Sequence, residues 1–229
     1  MRVPDPVLVA CAHGTREPAG RRVVGSLVAA LRAARPGLAV EAAFVDVQPP
    51  RVGEVVRQVC SSGRRAVVVP LLLSGGYHVH VDIAAAVAGH DALAARPLGP
   101  DDRLAVMLLD RLRESGATSQ DAVVLAAAGS SDQRASADVE QARSAVQREW
   151  EGPITVGYGA KATPTIAQAV SSARTEHPGR RVAVAAYLLA PGFFYDKLLT
   201  SSADLVTAPL GADPRLVGVV LDRFDSAVG

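Results

Sequence analysis

Apolar positions along this chain cluster in short unbroken runs separated by longer stretches of mixed character. Val7-Leu-Val-Ala-Cys-Ala12 and Val67-Val-Val-Pro-Leu-Leu-Leu73 are two such runs. They lack the polar alternation of a half-exposed strand, as expected where both faces of a sheet are covered. The pattern predicts strands near 6–12, 39–45, 66–73 and 93–96, and helices near 20–34, 51–62, 79–89 and 101–114. Pro49-Pro50 stand before the second helix and Asp101-Asp102 open the fourth, both helix-start signals. From residue 122 the alternation begins again, with Asp132 opening a long helix that runs to about Trp150. Strand–helix alternation builds a parallel, doubly wound sheet with right-handed crossovers in each half.

The second half repeats the first. His13 and Ala128 end matching runs 115 positions apart, and Gly76 and Gly192 are 116 apart. Pro50-Arg-Val-Gly-Glu-Val-Val56 parallels Pro164-Thr-Ile-Ala-Gln-Ala-Val170, and Pro97-Leu-Gly-Pro-Asp-Asp-Arg-Leu104 parallels Pro209-Leu-Gly-Ala-Asp-Pro-Arg-Leu216. Four collinear matches at nearly constant spacing indicate a duplicated domain, not a solenoid of short repeats. The expected fold is therefore α/β, with two tandem homologous domains at 1–115 and 121–229. Each is a parallel four-stranded sheet flanked by helices, and the stretch 114–120 is the linker.

Composition narrows the classes. No apolar run approaches the ~20 residues of a membrane span, and no hydrophobic stretch follows a basic start as in a secretory signal. Two cysteines, Cys11 and Cys60, give neither a disulfide framework nor a zinc-ribbon spacing. A cytoplasmic, reduced setting is expected. Net charge is +1 and aromatics are 4%, which argues against nucleic acid and membrane as partners. No phosphate-binding glycine motif follows a strand, and Ala12 occupies the place of the arginine that a histidine phosphatase would need before His13-Gly14.

The candidate chemistry lies at the strand ends of the first half. His13 follows the first strand, Asp46 the second, and His78 the third, after Gly75-Gly76 at a strand-to-helix turn that favours permissive backbone. Ligands of open parallel sheets bind beyond these carboxyl ends, so the three side chains can converge on one crevice. Neutral imidazole suits divalent Fe, Co, Ni and Zn, and a carboxylate offsets charge. Three ligands leave open positions, unlike a structural zinc site, so the ion can be released. In the second half Ala128 and Phe194 replace the two histidines, which predicts a single site per chain. The plainer alternatives are a hydrogen-bonded strand-end histidine for His13 or His78, and a turn or capping role for Asp46. His80 points elsewhere, and His90 and His177 lie at helix ends and read as surface residues.

His13-Gly14, Asp46 before Pro49-Pro50, and Gly75-Gly76-Tyr77-His78-Val79 followed by Asp82-Ile83 resemble the sirohydrochlorin cobaltochelatase and ferrochelatase family in its long, two-domain form. The resemblance covers essentially the whole chain and implies a chelatase-like fold. It implies insertion of Fe²⁺ or Co²⁺ into sirohydrochlorin or a related reduced tetrapyrrole, for siroheme or cobalamin biosynthesis. It also implies that His13 and His78 bind the metal with Asp46 assisting, as third ligand or proton acceptor. Aspartate stands here where many members carry glutamate, and Thr15 where serine is common. The metal is a substrate, and no organic cofactor is required. A non-catalytic carrier of metal or tetrapyrrole would use the same ligands.

Sirohydrochlorin is rich in carboxylates, so its pocket should offer cations and backbone N–H groups. Arg16 follows His13 closely, and Gly75 and Gly76 open the turn beside His78. The chain has only two lysines, Lys161 and Lys197. By the repeat they mirror Val47 and Val81, at the strand ends of the half without histidines. If the two sites oppose, both lysines face the cleft between domains and bind substrate carboxylates. Otherwise they and Arg16 are surface charges.

Overall fold

A computed structural model of the chain describes residues 5–229. The elements run β1 (Val7–Ala12), α1 (Pro18–Ala34), β2 (Val40–Phe44), α2 (Val52–Ser61), β3 (Ala66–Pro70), a π-helical turn (His78–Ile83) continuing into α3 (Ala84–Val87), and β4 (Ala92–Ala94). Then follow α4 (Asp102–Glu114), β5 (Ala122–Ala127), α5 (Gln133–Gln147), β6 (Ile154–Tyr158), α6 (Ile166–Glu176), β7 (Val182–Tyr187), α7 (Phe193–Leu199), β8 (Leu205–Val206) and α8 (Pro214–Val228). Two parallel four-stranded sheets result, ordered β2-β1-β3-β4 and β6-β5-β7-β8.

The apolar runs become the central strands. Every residue of β1, β3, β5 and β7 is buried. In the first sheet Val7, Val9 and Cys11 point to one face and pack with Ala66, Val68, Val52, Val55, Val56, Val59 and Ile83 under α2 and the π turn. The intervening Leu8, Ala10 and Ala12 are equally buried and turn to the opposite face by strand alternation. The helix α1 opens with Pro18 in its first turn, where the missing N–H costs nothing. It buries Val24, Leu27, Val28 and Leu31, a stripe at helical spacing.

The described residues divide into two compact units, one of residues 5–98 with 212–229 and one of residues 99–211. These units do not coincide with the sequence halves at 1–115 and 121–229, because each half gives its last helix to the other unit. Helix α4 packs on α5 and β7, and α8 packs on α1 and β3. The exchange is reciprocal in detail. Arg111 of α4 donates through Nη2 to the Leu210 carbonyl (3.0 Å), and Arg223 of α8 donates through Nη2 to the Leu98 carbonyl (2.9 Å). Asp101 and Asp213 cap the two helices by accepting from the N–H groups of Arg103 and Arg215, each at the first cap position. Among the described residues no helix is long and apolar enough to cross a membrane.

Candidate metal centre

Strand order fixes the site. In the first unit β1 lies between β2 and β3, so the carboxyl ends that carry His13, Asp46 and His78 are neighbours. The connections from β1 leave toward opposite faces, α1 and α8 on one side and α2 and α3 on the other. This reversal opens a crevice in a doubly wound sheet.

The loop after β1 is stitched to the loop after β2. Val45 N–H donates to the Ala12 carbonyl and Asp46 N–H to the His13 carbonyl, both at 3.0 Å. Thr15 N–H donates to Gln48 Oε1 at 3.0 Å. The approach requires glycine at 14, where φ is +95° and a Cβ would stand 2.3 Å from the Asp46 carbonyl oxygen. Val47 also takes left-handed backbone, with φ +64°. Left-handed residues at this site are thus Gly14 and Val47; the Gly75-Gly76 turn has none. The Gly76 carbonyl instead starts the π turn, accepting from Val79 N–H at 3.0 Å and His80 N–H at 3.2 Å.

His13 and His78 meet. Their ring centroids are 4.7 Å apart with planes at 82°. His78 Nδ1 lies 2.6 Å from Asp82 Oδ2, and His13 Nδ1 lies 3.1 Å from the Gly14 carbonyl oxygen. Both oxygens accept, so both imidazoles carry their proton on Nδ1 and keep the Nε2 lone pair, a tautomer assigned from these partners. The separation is compatible with one ion about 2 Å from each Nε2. His78 and Asp82 are 34% and 35% exposed, open enough for an ion to enter. His78 heads the π turn, a distortion frequent at functional sites, and the turn brings Asp82 against it.

Asp82, without a role on sequence grounds, is the side chain that the structure sets against His78. Its spacing from His78, four residues on a helix-forming stretch, was the available signal. Its charge reaches the core beneath: the Cys11 thiol is pushed up to about 12, first by burial and then by Asp82. Cys11 is buried, as the sequence suggested, and Cys60 half-buried.

The Asp46 carboxylate is engaged by Arg51 and is not gathered with the histidine pair. It accepts from Arg51 Nη1 at 3.1 Å, and the same nitrogen donates to the Val45 carbonyl at 3.1 Å. Its acidity is raised above that of an ordinary carboxyl, first by the Val47 N–H, then by the Arg51 hydrogen bond and the nearby Arg51 charge, against an opposing effect of burial. Among the described residues no three His, Cys, Asp or Glu side chains are gathered as a metal-binding group. The structure therefore brings together His13 and His78, and holds Asp46 beside them on an arginine. Arg16 is exposed at the β1–α1 turn, Gly75 is buried, and His80 is exposed.

The second unit keeps the cradle and loses the donors. Gly129 has φ +86°, and a Cβ there would lie 1.9 Å from the Ala160 carbonyl oxygen. Lys161 repeats the left-handed backbone of Val47 with φ +62°, and its side chain is exposed. Phe194, in the place of His78, presses on Gly159, where a Cβ would meet the ring at 2.7 Å. Lys197 Nζ donates to the Gly159 carbonyl at 3.0 Å and lies 4.6 Å from the centroid of the Phe193 ring.

Comparison with known proteins gives consistent matches. The family model of CbiX matches residues 7–115 and 122–227. The sirohydrochlorin cobaltochelatase of Methanopyrus kandleri is 28% identical over 136 residues, which cover 47% of this chain and 95% of that protein. The sirohydrochlorin cobaltochelatase of Sulfurisphaera tokodaii is 33% identical over 79 residues, covering 33% of this chain and 66% of that protein, just under two thirds of its length. The structure of SirB from Bacillus subtilis with Fe³⁺ superposes with a TM-score of 0.81 at 18% identity, covering 98% of this chain and 96% of that one. At that identity the likeness establishes the shared fold.

Proposed function

The chain belongs to the CbiX family, and from that premise we propose that it is a metal-inserting chelatase, placing Fe²⁺ or Co²⁺ into sirohydrochlorin or a closely related reduced tetrapyrrole on the way to siroheme or cobalamin. The observation that carries this reading is the facing pair His13 and His78, each with Nδ1 occupied by an oxygen and Nε2 left to donate. Two imidazoles without a closed ligand shell hold a divalent ion and can surrender it.

Metal insertion exchanges one M²⁺ for the two inner N–H protons of the macrocycle. His13 and His78 hold the incoming ion through Nε2. As the macrocycle nitrogens take the ion, Asp46 accepts one proton, and an imidazole freed by the departing ion accepts the other. Asp46 is ionised throughout the neutral range, so it is available either as acceptor or as third ligand. Asp82 keeps the proton of His78 on Nδ1 and so keeps its Nε2 pointed to the metal as a lone pair. Arg16, Lys161 and Lys197 supply cations for the substrate carboxylates, and the peptide groups at Gly75 and Gly76 hold the turn that presents His78.

The competing reading is a carrier that binds metal or tetrapyrrole without turnover. Purified protein mixed with sirohydrochlorin and Co²⁺ or Fe²⁺ separates the two. The chelatase reading predicts many metallated products per chain at a rate well above the spontaneous one, lost in His13→Ala and in His78→Ala. Product formation limited to one equivalent, or a rate equal to the spontaneous one, supports the carrier.

A further inference from the structure

Asp46 poses a question that the proposed chemistry leaves open. It sits next to the histidine pair, with its N–H bonded to the His13 carbonyl at 3.0 Å, yet its carboxylate is turned to Arg51 and not to a position shared with His13 and His78. The Arg51–Asp46 pair is 49% and 58% exposed. An exposed pair is worth little, and water and other anions compete for it. Arg51 spends one nitrogen, Nη1, on both the Val45 carbonyl and Asp46. A guanidinium has five N–H donors in a planar fork matched to a carboxylate, so on this half-exposed side chain Nε and Nη2 remain beyond the bonds made by Nη1.

The duplicated half supplies an internal control. By the offset of 114 that relates Pro50 to Pro164, Asp46 corresponds to Ala160 and Arg51 to Thr165. The backbone around them is preserved: Phe44 and Tyr158 bridge to Arg51 and Thr165 in the same manner, and Gly14 and Gly129 abut the carbonyls of Asp46 and Ala160 alike. Arginine is therefore not needed to build this turn, since threonine starts α6 at the same place with its own side-chain cap. The arginine and the aspartate occur together, and only in the unit that has the histidines.

We propose that Arg51 is a binding site for a carboxylate of the tetrapyrrole substrate, and that its capture of that carboxylate releases Asp46 to complete the metal site with His13 and His78. The inference rests on the chelatase reading and adds an order of events to it. Before the macrocycle arrives, the ion has two imidazole ligands and a carboxylate held aside. An incoming carboxylate takes Arg51, and Asp46 turns by side-chain rotation alone, its backbone being already fastened to His13. The third ligand or proton acceptor thus comes into play only when there is a macrocycle to metallate.

The test is a set of full-length variants with two readouts. Co²⁺ affinity is measured without tetrapyrrole, and the KM for sirohydrochlorin is measured by metallation. Arg51→Ala frees Asp46, so Co²⁺ should bind about two- to fivefold more tightly, the range equivalent to an exposed ion pair. In the same variant the KM should rise about tenfold or more, as for loss of a charged, bidentate contact. Arg51→Lys should recover part of the KM. In an Asp46→Asn background, Arg51→Ala should leave Co²⁺ affinity unmoved. Arg51→Gln, of similar length and uncharged, should repeat both effects and so excludes a misfolded loop as their cause. An unchanged KM in Arg51→Ala overturns the carboxylate site; an unchanged or weakened Co²⁺ affinity, or a tightening that persists without Asp46, overturns the release. Failure of the chelatase reading shows separately, as absence of turnover by the wild-type chain.

Discussion

Replacing Asp82 with Asn tests how far the metal centre depends on a side chain that never touches the ion. Asp82 Oδ2 is 2.6 Å from His78 Nδ1, the short distance of a charge-assisted bond. Asparagine preserves volume but offers only a neutral carbonyl, and its amide can turn an N–H toward the ring. The imidazole is then no longer held with its proton on Nδ1, and the tautomer protonated on Nε2 cannot ligate the ion through that nitrogen. Loss of such outer partners costs roughly 10–100-fold in metal affinity. With both side chains about one third exposed, solvent compensates part of the loss, so the lower end applies: about tenfold, or about 1.4 kcal/mol. Co²⁺ titration followed in the visible spectrum measures it, with a denaturant melt beside it to show the fold intact. Affinity within about twofold of wild type would refute the idea that Asp82 sets the tautomer of His78.

Three further outcomes follow from other parts of the structure. Gly14→Ala places a Cβ 2.3 Å from the Asp46 carbonyl at φ +95°, and left-handed strain alone costs about 1–3 kcal/mol; the variant should be less stable and bind Co²⁺ poorly, whereas Gly129→Ala should lose stability alone, as urea melts and metal titrations of the two would show. Asp121 is buried at 7% exposure against a half-exposed Arg181. Burial raises its pKa, but the hydrogen bonds from Arg181 and the Thr118 N–H outweigh this and hold it below the ordinary carboxylate value, so its stabilisation is present above that value and fades as pH falls through the depressed one. Asp121→Asn should therefore cost about 1–3 kcal/mol at pH 7, with the gap from wild type closing in strong acid. Finally, Lys161→Ala with Lys197→Ala should raise the KM for sirohydrochlorin while Co²⁺ affinity stays unchanged; an unaltered KM removes the lysines from substrate binding.

Much of this architecture is legible because two signals agree. The all-buried runs of β1, β3, β5 and β7 have no alternation to misread, and the repeat offset predicts each element of the second half from the first. The histidines were visible because their matching positions, Ala128 and Phe194, carry no donors. The exchange of α4 and α8 was not legible: both helices carry an amphipathic stripe that fits either sheet, and a duplicated sequence looks the same whichever way they cross. Nor was the partner of Asp46. Arg51 lies five residues away beyond the two prolines, and only the turn itself brings its guanidinium back to the Val45 carbonyl and the carboxylate. The left-handed positions were misplaced for a related reason. A Gly-Gly pair attracts attention, whereas Gly14 is demanded by a carbonyl from another strand, a constraint that local sequence does not carry.

On the proposed reading, His13 and His78 together hold one divalent ion in each chain. X-ray absorption spectroscopy of the Co²⁺-loaded protein, with the bound metal counted, reads this out. A shared site gives one cobalt per chain with two imidazole nitrogens near 2.0–2.1 Å, falling to at most one imidazole in either His13→Ala or His78→Ala. Two cobalt ions per chain, or a wild-type spectrum without paired imidazole scattering, would contradict it.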